Sequence, residues 1–191
     1  MDDLQIQNMA LAHLSVEPIT DIDEGTTQAD VLKRFYQPAV EAAITRTRWK
    51  FARTVSSTLA QDPSDSDDEY SRWRLPSDRL WVMGFRNQVG QELDCRIEGD
   101  LATVIGAEPT AVYCTYLRSA AAGSWPAYFA VALSYSLAGF CCIPLTEDGK
   151  LLETLSSLEQ MKWDIAQSAD AMQGGTESLM EEDEASMLSG R

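Results

Sequence analysis

Residues 119–145 read SAAAGSWPAYFAVALSYSLAGFCCIPL, and this stretch has no charged residue in an otherwise acidic chain. Bulky side chains recur in it at spacings of four, four and three: Phe129, Leu133, Leu137 and Phe140. These spacings place the four side chains on one stripe of an α-helix. A second stripe, about 100° around the axis, carries mostly small side chains such as Ser134 and Ala138. The pattern predicts a central helix that is buried on most of its circumference, with the other elements packed around it.

The same stretch is longer than the run of about 18 apolar residues that suggests a membrane-spanning helix. Its composition argues against that interpretation, because Ala, Ser and Gly dominate it and two prolines, Pro126 and Pro144, bracket its core. Arg118 and Lys150 lie one on each side. We therefore interpret the stretch as a core helix and expect no membrane partner.

The charge balance narrows the possible partners. The chain has 30 acidic and 15 basic residues, for a net charge of −15. Such a charge argues against a dedicated nucleic-acid binder and against an anionic membrane surface as partner. The most basic part of the chain is the segment that carries Arg34, Arg46, Arg48, Lys50 and Arg53. They fit either a solvated helix face or a binding patch for an acidic partner.

The order of periodicities predicts the fold class. Helical spacing extends from Val31 to about Arg53, where Pro38 is expected to kink or restart the helix, and it returns from Leu151 to Met172. Between about 70 and 118 the period changes to two, with Gly99-Asp100 as a tight turn. We therefore predict a mainly α fold, a helical bundle with a small inserted antiparallel β-element. The predicted domain covers residues 1–175 and carries the β insertion at about 70–118, and an acidic flexible tail covers 176–191.

Catalytic and metal-binding patterns are absent from the sequence. It contains no glycine-rich phosphate loop, and its sole histidine is His13. The four cysteines (Cys95, Cys114, Cys141 and Cys142) form no C-x-x-C pair, so zinc-ligand spacing is missing. We expect a reducing compartment without a disulfide framework. We predict no catalytic residue, no cofactor and no bound metal.

Several phrases occur in an order that is similar to a known family. They are MALAHLSVEPI at 9–19, RWKFAR at 48–53, WRLPSDRL at 73–80, CRIEGDL at 95–101, VYCTYL at 112–117, LAGF at 137–140 and IPLT at 143–146. In this order they resemble the head-to-tail adaptor proteins of short-tailed bacteriophages, the tail tubular protein A and tail accessory factor group. The resemblance covers about residues 5–172.

This resemblance implies a structural virion protein located at the head–tail junction and assembled in the bacterial cytoplasm. It implies a homo-oligomeric ring, typically of twelve copies, between the portal protein and a tail nozzle such as a tail tubular protein B-like protein. DNA would pass through the channel of this ring without specific binding, and acidic walls would let it slide. The candidate interface residues are Trp49, Trp73, Trp81, Arg48, Arg53, Leu179 and Met180.

Two other functions are compatible with the residues. A tail-associated cell-wall hydrolase could use a pair of carboxylates, although 30 acidic residues make such a pair uninformative. An acidic interaction module could bind a basic partner through its tail. We expect a non-enzymatic protein.

Overall fold

The computed structural model describes residues 1–62, 71–106 and 109–173. Within these ranges the chain forms four α-helices and two four-stranded antiparallel sheets, with 47% helix and 21% strand. The fold is therefore mixed α/β. The prediction of a mainly α helical bundle with a small β-element is wrong, because the strands build two complete sheets.

The chain divides into two compact units. Among the described residues, the helical unit contains residues 1–40 and 121–173, and the sheet unit lies between them at 41–120. The acidic tail predicted at 176–191 and most of the acidic loop at 62–69 lie outside the described residues.

The helical unit is built from helices on either side of the sheet unit in sequence. Its helices are α1 (Asp3–His13), the first part of α2 (Thr27–Thr45), α3 (Ala127–Thr146) and α4 (Gly149–Met172), with a 3₁₀ turn at Ala122–Ser124. Asp2 begins α1 with a reciprocal capping box, in which Gln5 N donates to Asp2 Oδ1 at 2.8 Å. In the sequence Thr27 and Asp30 resemble a capping box, but the side chain that accepts at the start of α2 is that of Thr26, from Ala29 N.

α3 is the centre of the helical unit, and both α1 and α4 pack against it. Phe129, Leu133 and Leu137 are fully buried, as their spacing predicts. Phe140 is 47% exposed and stacks on Phe35 instead, with ring centroids 6.0 Å apart. The bulky stripe therefore fills the core along its first three members only.

α3 is also the one helix in the described part of the chain that is long and apolar enough to cross a membrane. Its most apolar 18-residue window has a mean hydropathy of 1.7, and 56% of that window is buried inside the protein. Core helices of soluble proteins meet the same criterion, so the helix is weak evidence for a membrane span.

Polar contacts join α4 to α3. Trp163 Nε1 donates to Ser136 Oγ at 2.9 Å, and Ser136 Oγ donates to Glu159 Oε1 at 2.7 Å. Tyr128 OH donates to Asp170 Oδ1 at 2.8 Å. Each of these buried or partly buried donors is satisfied, so the two helices are joined by directional contacts as well as by apolar packing.

α2 ends at Thr45, eight residues before the predicted end near Arg53. Two side chains donate hydrogen bonds to backbone carbonyl groups near its end: Thr45 Oγ1 donates to Glu41 O at 2.8 Å, and Trp49 Nε1 donates to Ala43 O at 2.8 Å. The helix runs through Pro38 without a restart. The Trp-x-Phe-Ala phrase therefore follows the helix and leads into the sheet unit.

The sheet unit contains eight short strands. They are β1 (Arg53–Val55), β2 (Ala60–Gln61), β3 (Arg72–Arg74), β4 (Arg79–Asn87), β5 (Glu92–Leu93), β6 (Cys95–Glu98), β7 (Leu101–Val104) and β8 (Val112–Arg118). One sheet has the order β1-β8-β4-β5 and the other β2-β3-β7-β6. The predicted hairpin is confirmed, since β6 pairs with β7 and Gly99 takes the left-handed φ of +59° in the turn.

Side chains of both sheets meet in one apolar core. It contains Leu59, Trp73, Leu75, Phe85, Ala102, Val104, Val112, Cys114 and Tyr116. Four of the eight strands have only two or three residues, so they cannot show a period of two in the sequence. For this reason the sequence underestimates the β content.

Candidate interaction surfaces

The first surface is the outer face of the sheet β1-β8-β4-β5. Alternate residues of β8 point into the core (Val112, Cys114 and Tyr116), so the residues between them lie on the opposite face. In the register of the sheet, Arg53 and Trp81 flank Leu117, while Val55 and Gly84 flank Thr115. Arg53, Val55, Trp81 and Gly84 therefore share this outer face.

A cleft of about 290 Å³ opens on the outer face. Arg48, Arg53 and Arg86 line it together with Glu92. The side chains of Arg48 and Arg53 make no hydrogen bond or ion pair within the described residues, and Arg86 Nη2 lies 4.0 Å from Glu92 Oε1. Three guanidinium groups against one carboxylate give the cleft a positive charge in a strongly negative protein.

Exposed apolar side chains adjoin these arginines. Trp81 is 55% exposed and Val55 is 58% exposed. On the outer face, Trp81 lies across Leu117 from Arg53, and Val55 lies across Thr115 from Gly84. An exposed tryptophan beside arginines has the composition that is enriched at protein interfaces.

The structure separates the predicted interface residues into three groups. Arg48, Arg53 and Trp81 come together at the outer face and its cleft. Trp49 has no exposed surface, and its Nε1 donates to Ala43 O. Trp73 is 4% exposed and lies in the apolar core between the two sheets, so neither tryptophan is an exposed anchor. Leu179 and Met180 lie outside the described residues. Sequence reasoning missed Arg86 and Gly84, since only the strand register places them beside Arg53.

A second surface lies on α4. Four apolar residues recur at intervals of seven along this helix: Leu151, Leu158, Ile165 and Met172. Ile165 is 54% exposed and Met172 is 80% exposed. Met161, which lies between Leu158 and Ile165 in the sequence, is 55% exposed. We call these five residues the free stripe of α4. The sequence predicts a single apolar stripe of Leu151, Leu155, Leu158, Ile165, Ala169 and Met172. The structure divides it, because Leu155 is buried while Ile165 and Met172 are exposed.

A spacing of seven residues keeps side chains on one side of a helix that packs against another helix. The α3-facing side of α4 is already occupied through Trp163. The residue two positions after Trp163, Ile165, lies about 200° further around the axis, so the free stripe is directed away from α3. Met161, Ile165 and Met172 make it an exposed apolar helix face, and Leu151 and Leu158 in it are half-buried.

Three of the phrases that carry the family resemblance meet around Arg79. Its guanidinium donates to Pro76 O at 3.0 Å, to Gly99 O at 2.9 Å and to Asp100 Oδ1 at 2.7 Å. Tyr116 OH donates to Asp78 Oδ1 at 3.0 Å. One polar cluster therefore contains residues of the phrases WRLPSDRL, CRIEGDL and VYCTYL.

A histidine–serine pair is present in the helical unit, but it lacks the arrangement of a nucleophile with its base. His13 Nε2 lies 3.1 Å from Ser134 Oγ, while Ser134 Oγ donates its proton to Val131 O at 2.7 Å. Ser134 is fully buried, and His13 stacks on Tyr135 at 4.0 Å. Burial, with a smaller contribution from the charge of Lys162, lowers the pKa of His13. The neutral imidazole therefore donates to Ser134 and links α1 to α3.

The cysteines and the metal-ligand side chains are two further kinds of group that could carry chemistry. All four cysteines are free, and burial raises the pKa of Cys141 to about 12, which disfavours a nucleophilic thiolate. No group of three or more metal-ligand side chains occurs among residues 1–62, 71–106 and 109–173.

No protein-family model matches the chain, and no curated protein matches it significantly. The functional assignment therefore depends on the sequence resemblance and on the surfaces described above.

Proposed function

We propose that this protein is a structural, ring-forming head-to-tail adaptor of a short-tailed bacteriophage. In this role it joins the portal to the tail nozzle and leaves a channel for DNA. The observation that carries the proposal is the cluster around Arg79, where one phrase of the family resemblance is hydrogen-bonded to two others. The fold that the resemblance implies, a helical bundle with an inserted β-element, differs from the observed mixed α/β fold, so the proposal rests on the phrases and the surfaces alone.

The Arg79 cluster supports the resemblance because it gives the phrases a shared structural purpose. Residues 75–79, 99–100 and 116 are separated in sequence, yet Leu75 N also donates to Asp100 O at 2.9 Å. A resemblance based on unrelated turn residues would not be expected to converge on one cluster. The phrases instead describe how β4, the β6–β7 turn and β8 are held together.

The free stripe of α4 supports the oligomeric part of the proposal. An apolar stripe with seven-residue spacing is suited to packing against a helix of another subunit. In a ring each subunit uses one surface to contact the next subunit and a different surface to contact the previous one. The free stripe can serve as one surface of such a heterologous interface.

The acidic balance supports the channel. With a net charge of −15, the subunits of a ring repel phosphate groups rather than bind them, which permits DNA to slide past. A structural role also accords with the histidine–serine pair, whose serine is a buried donor to the backbone.

Electron microscopy and native mass spectrometry test the proposal. We expect the protein, alone or mixed with the portal protein of the same phage, to form rings with a central hole, at about twelve copies by analogy with closed cyclic assemblies of this group. A protein that stays monomeric and never joins the portal would overturn the proposal.

A pair of α4 variants tests which surface makes the contact. Ile165→Asp places a charge on the free stripe and should reduce assembly strongly, because it would bury an unpaired charge. Ser156→Asp is the matched control: Ser156 is exposed on the same helix, about 180° from Ile165 around the axis. Equal assembly of the two variants would exclude the free stripe from the interface.

A further inference from the structure

We propose that the cleft on the outer face is a carboxylate-binding site for residues 179–184 of a second copy of this chain. The inference rests on the proposed function in one respect, since a ring supplies the second copy. It adds a specific subunit contact, in which the arginines of one subunit bind an acidic segment of its neighbour.

The charge of the cleft identifies the chemistry of the ligand. Two other arginines of the sheet unit have acidic partners: Arg79 is 2.7 Å from Asp100, and Arg74 is 3.3 Å from Asp62. Arg48 and Arg53 have none within the described residues. Guanidinium groups bind carboxylates through paired hydrogen bonds, so an anionic oxygen ligand is the natural complement of the cleft.

The size of the cleft fits individual side chains of a ligand. Its floor lies on β4 at an irregularity in the register between Val82 and Gly84, and a Cβ built on Gly84 would meet no atom within 4 Å. The missing side chain therefore leaves open space between Arg53 and Arg86. A cleft of about 290 Å³ accommodates one or two side chains and is too small to enclose a DNA duplex, whose own grooves are about 6–12 Å wide.

The segment 179–184 matches both properties of the outer face. It reads LMEEDE, with two apolar residues directly before four consecutive carboxylates. The outer face offers exposed Trp81 and Val55 for the apolar pair and the arginines of the cleft for the carboxylates. Glu92 also lines the cleft and opposes an anion, but three arginines outnumber it.

Fluorescence anisotropy with a labelled synthetic peptide of residues 176–191 tests the inference. The binding protein is the full chain in which the acidic run is neutralised by Glu181→Gln, Glu182→Gln, Asp183→Asn and Glu184→Gln, so that the clefts of all copies are free. We expect saturable binding that weakens at high salt. A peptide with the same four neutral substitutions should not bind.

Three variants of the binding protein locate the site. Arg48→Gln with Arg53→Gln should weaken binding by about tenfold or more, since charge-assisted contacts are lost. Gly84→Leu should weaken it similarly by filling the cleft, and its unchanged thermal unfolding would show that the fold is intact. Arg96→Gln is the matched control, because Arg96 is exposed on β6 in the other sheet and should change binding less than about twofold.

Each remaining outcome contradicts the inference. An Arg96→Gln effect as large as that of the double variant would indicate diffuse charge attraction. Tighter binding of a single-stranded oligonucleotide of equal charge, lost in the same variants, would indicate a phosphate site. Absence of peptide binding while rings still form would reject the carboxylate site and leave the adaptor proposal intact.

Discussion

Trp163 offers the sharpest test of how the helical unit is held together. Trp163→Phe keeps an aromatic ring but removes the indole Nε1, which donates to Ser136 Oγ at 2.9 Å and lies 3.2 Å from Glu159 Oε1. A hydrogen bond of this kind contributes about 1–2 kcal/mol, because one acceptor is charged. Trp163 is also fully buried, so the smaller ring leaves a cavity that costs about 1–2 kcal/mol more. We expect a total loss of about 2–4 kcal/mol in the free energy of unfolding.

Urea unfolding followed by far-ultraviolet circular dichroism measures this loss. With a slope of about 2 kcal/mol per molar urea, the unfolding midpoint should fall by about 1–2 M. The matched control is Trp81→Phe, the same substitution at a side chain that is 55% exposed. It should change the free energy of unfolding by about 0.5 kcal/mol or less.

The test compares the loss in the free energy of unfolding between the two variants. If Trp163→Phe cost no more than Trp81→Phe, the contact between α3 and α4 through Ser136 would not contribute to stability. A double-mutant cycle with Ser136→Ala separates the hydrogen bond from the lost volume, since only the hydrogen bond produces a coupling between the two positions.

Three further predictions concern particular side chains. His13 has a folded-state pKa below its usual value of 6.5, so the unfolded chain takes up the proton first as the pH falls. The stability contributed by the neutral imidazole is therefore present above about pH 6.5 and is lost below it. His13→Gln keeps a donor for Ser134 and should make the free energy of unfolding less dependent on pH between about 7.5 and 5. Ala138→Leu should cost about 1–3 kcal/mol by overpacking a fully buried position of α3, and an unchanged melting temperature would contradict the close helix contact there. Arg79→Lys should lower the free energy of unfolding by about 1–3 kcal/mol, because an ammonium group cannot donate to two backbone carbonyls and Asp100 at once as the guanidinium does. Chemical unfolding of the sheet unit measures this loss. Unchanged stability would show that the Arg79 cluster is dispensable.

The sequence was sufficient to predict elements that have a long, regular pattern. Leu133 and Leu137 identify α3 because a buried helix repeats its bulky side chains over several turns. Gly99-Asp100 identifies the β6–β7 hairpin because a tight turn requires a residue that adopts positive φ. The total β content could not be predicted in the same way, since strands of two or three residues, such as β1 and β2, owe their existence to partners far away in the chain.

The candidate surfaces show a similar division. The basic character of Arg48 and Arg53 is visible in the sequence, and so is the presence of Trp81. Sequence alone cannot distinguish the exposed Trp81 from the buried Trp49 and Trp73, because all three lie in similar aromatic and basic phrases. Burial is decided by tertiary contacts, and the closeness of Trp81 to Arg53 depends on both strands pairing with β8.

The pairing of β1 with β8 has a consequence for folding. β1 is the first strand of the sheet unit and β8 is the last, and they are hydrogen-bonded neighbours, with Arg118 N donating to Ala52 O at 3.1 Å just beyond them. Residues 53 and 117 are thereby brought close together by the chain of about 65 residues that begins and ends with them. Closing a flexible loop of that length would cost about 4 kcal/mol of chain entropy. The strand pairs within the sheet unit therefore have to offset that cost before β1 and β8 can stay paired.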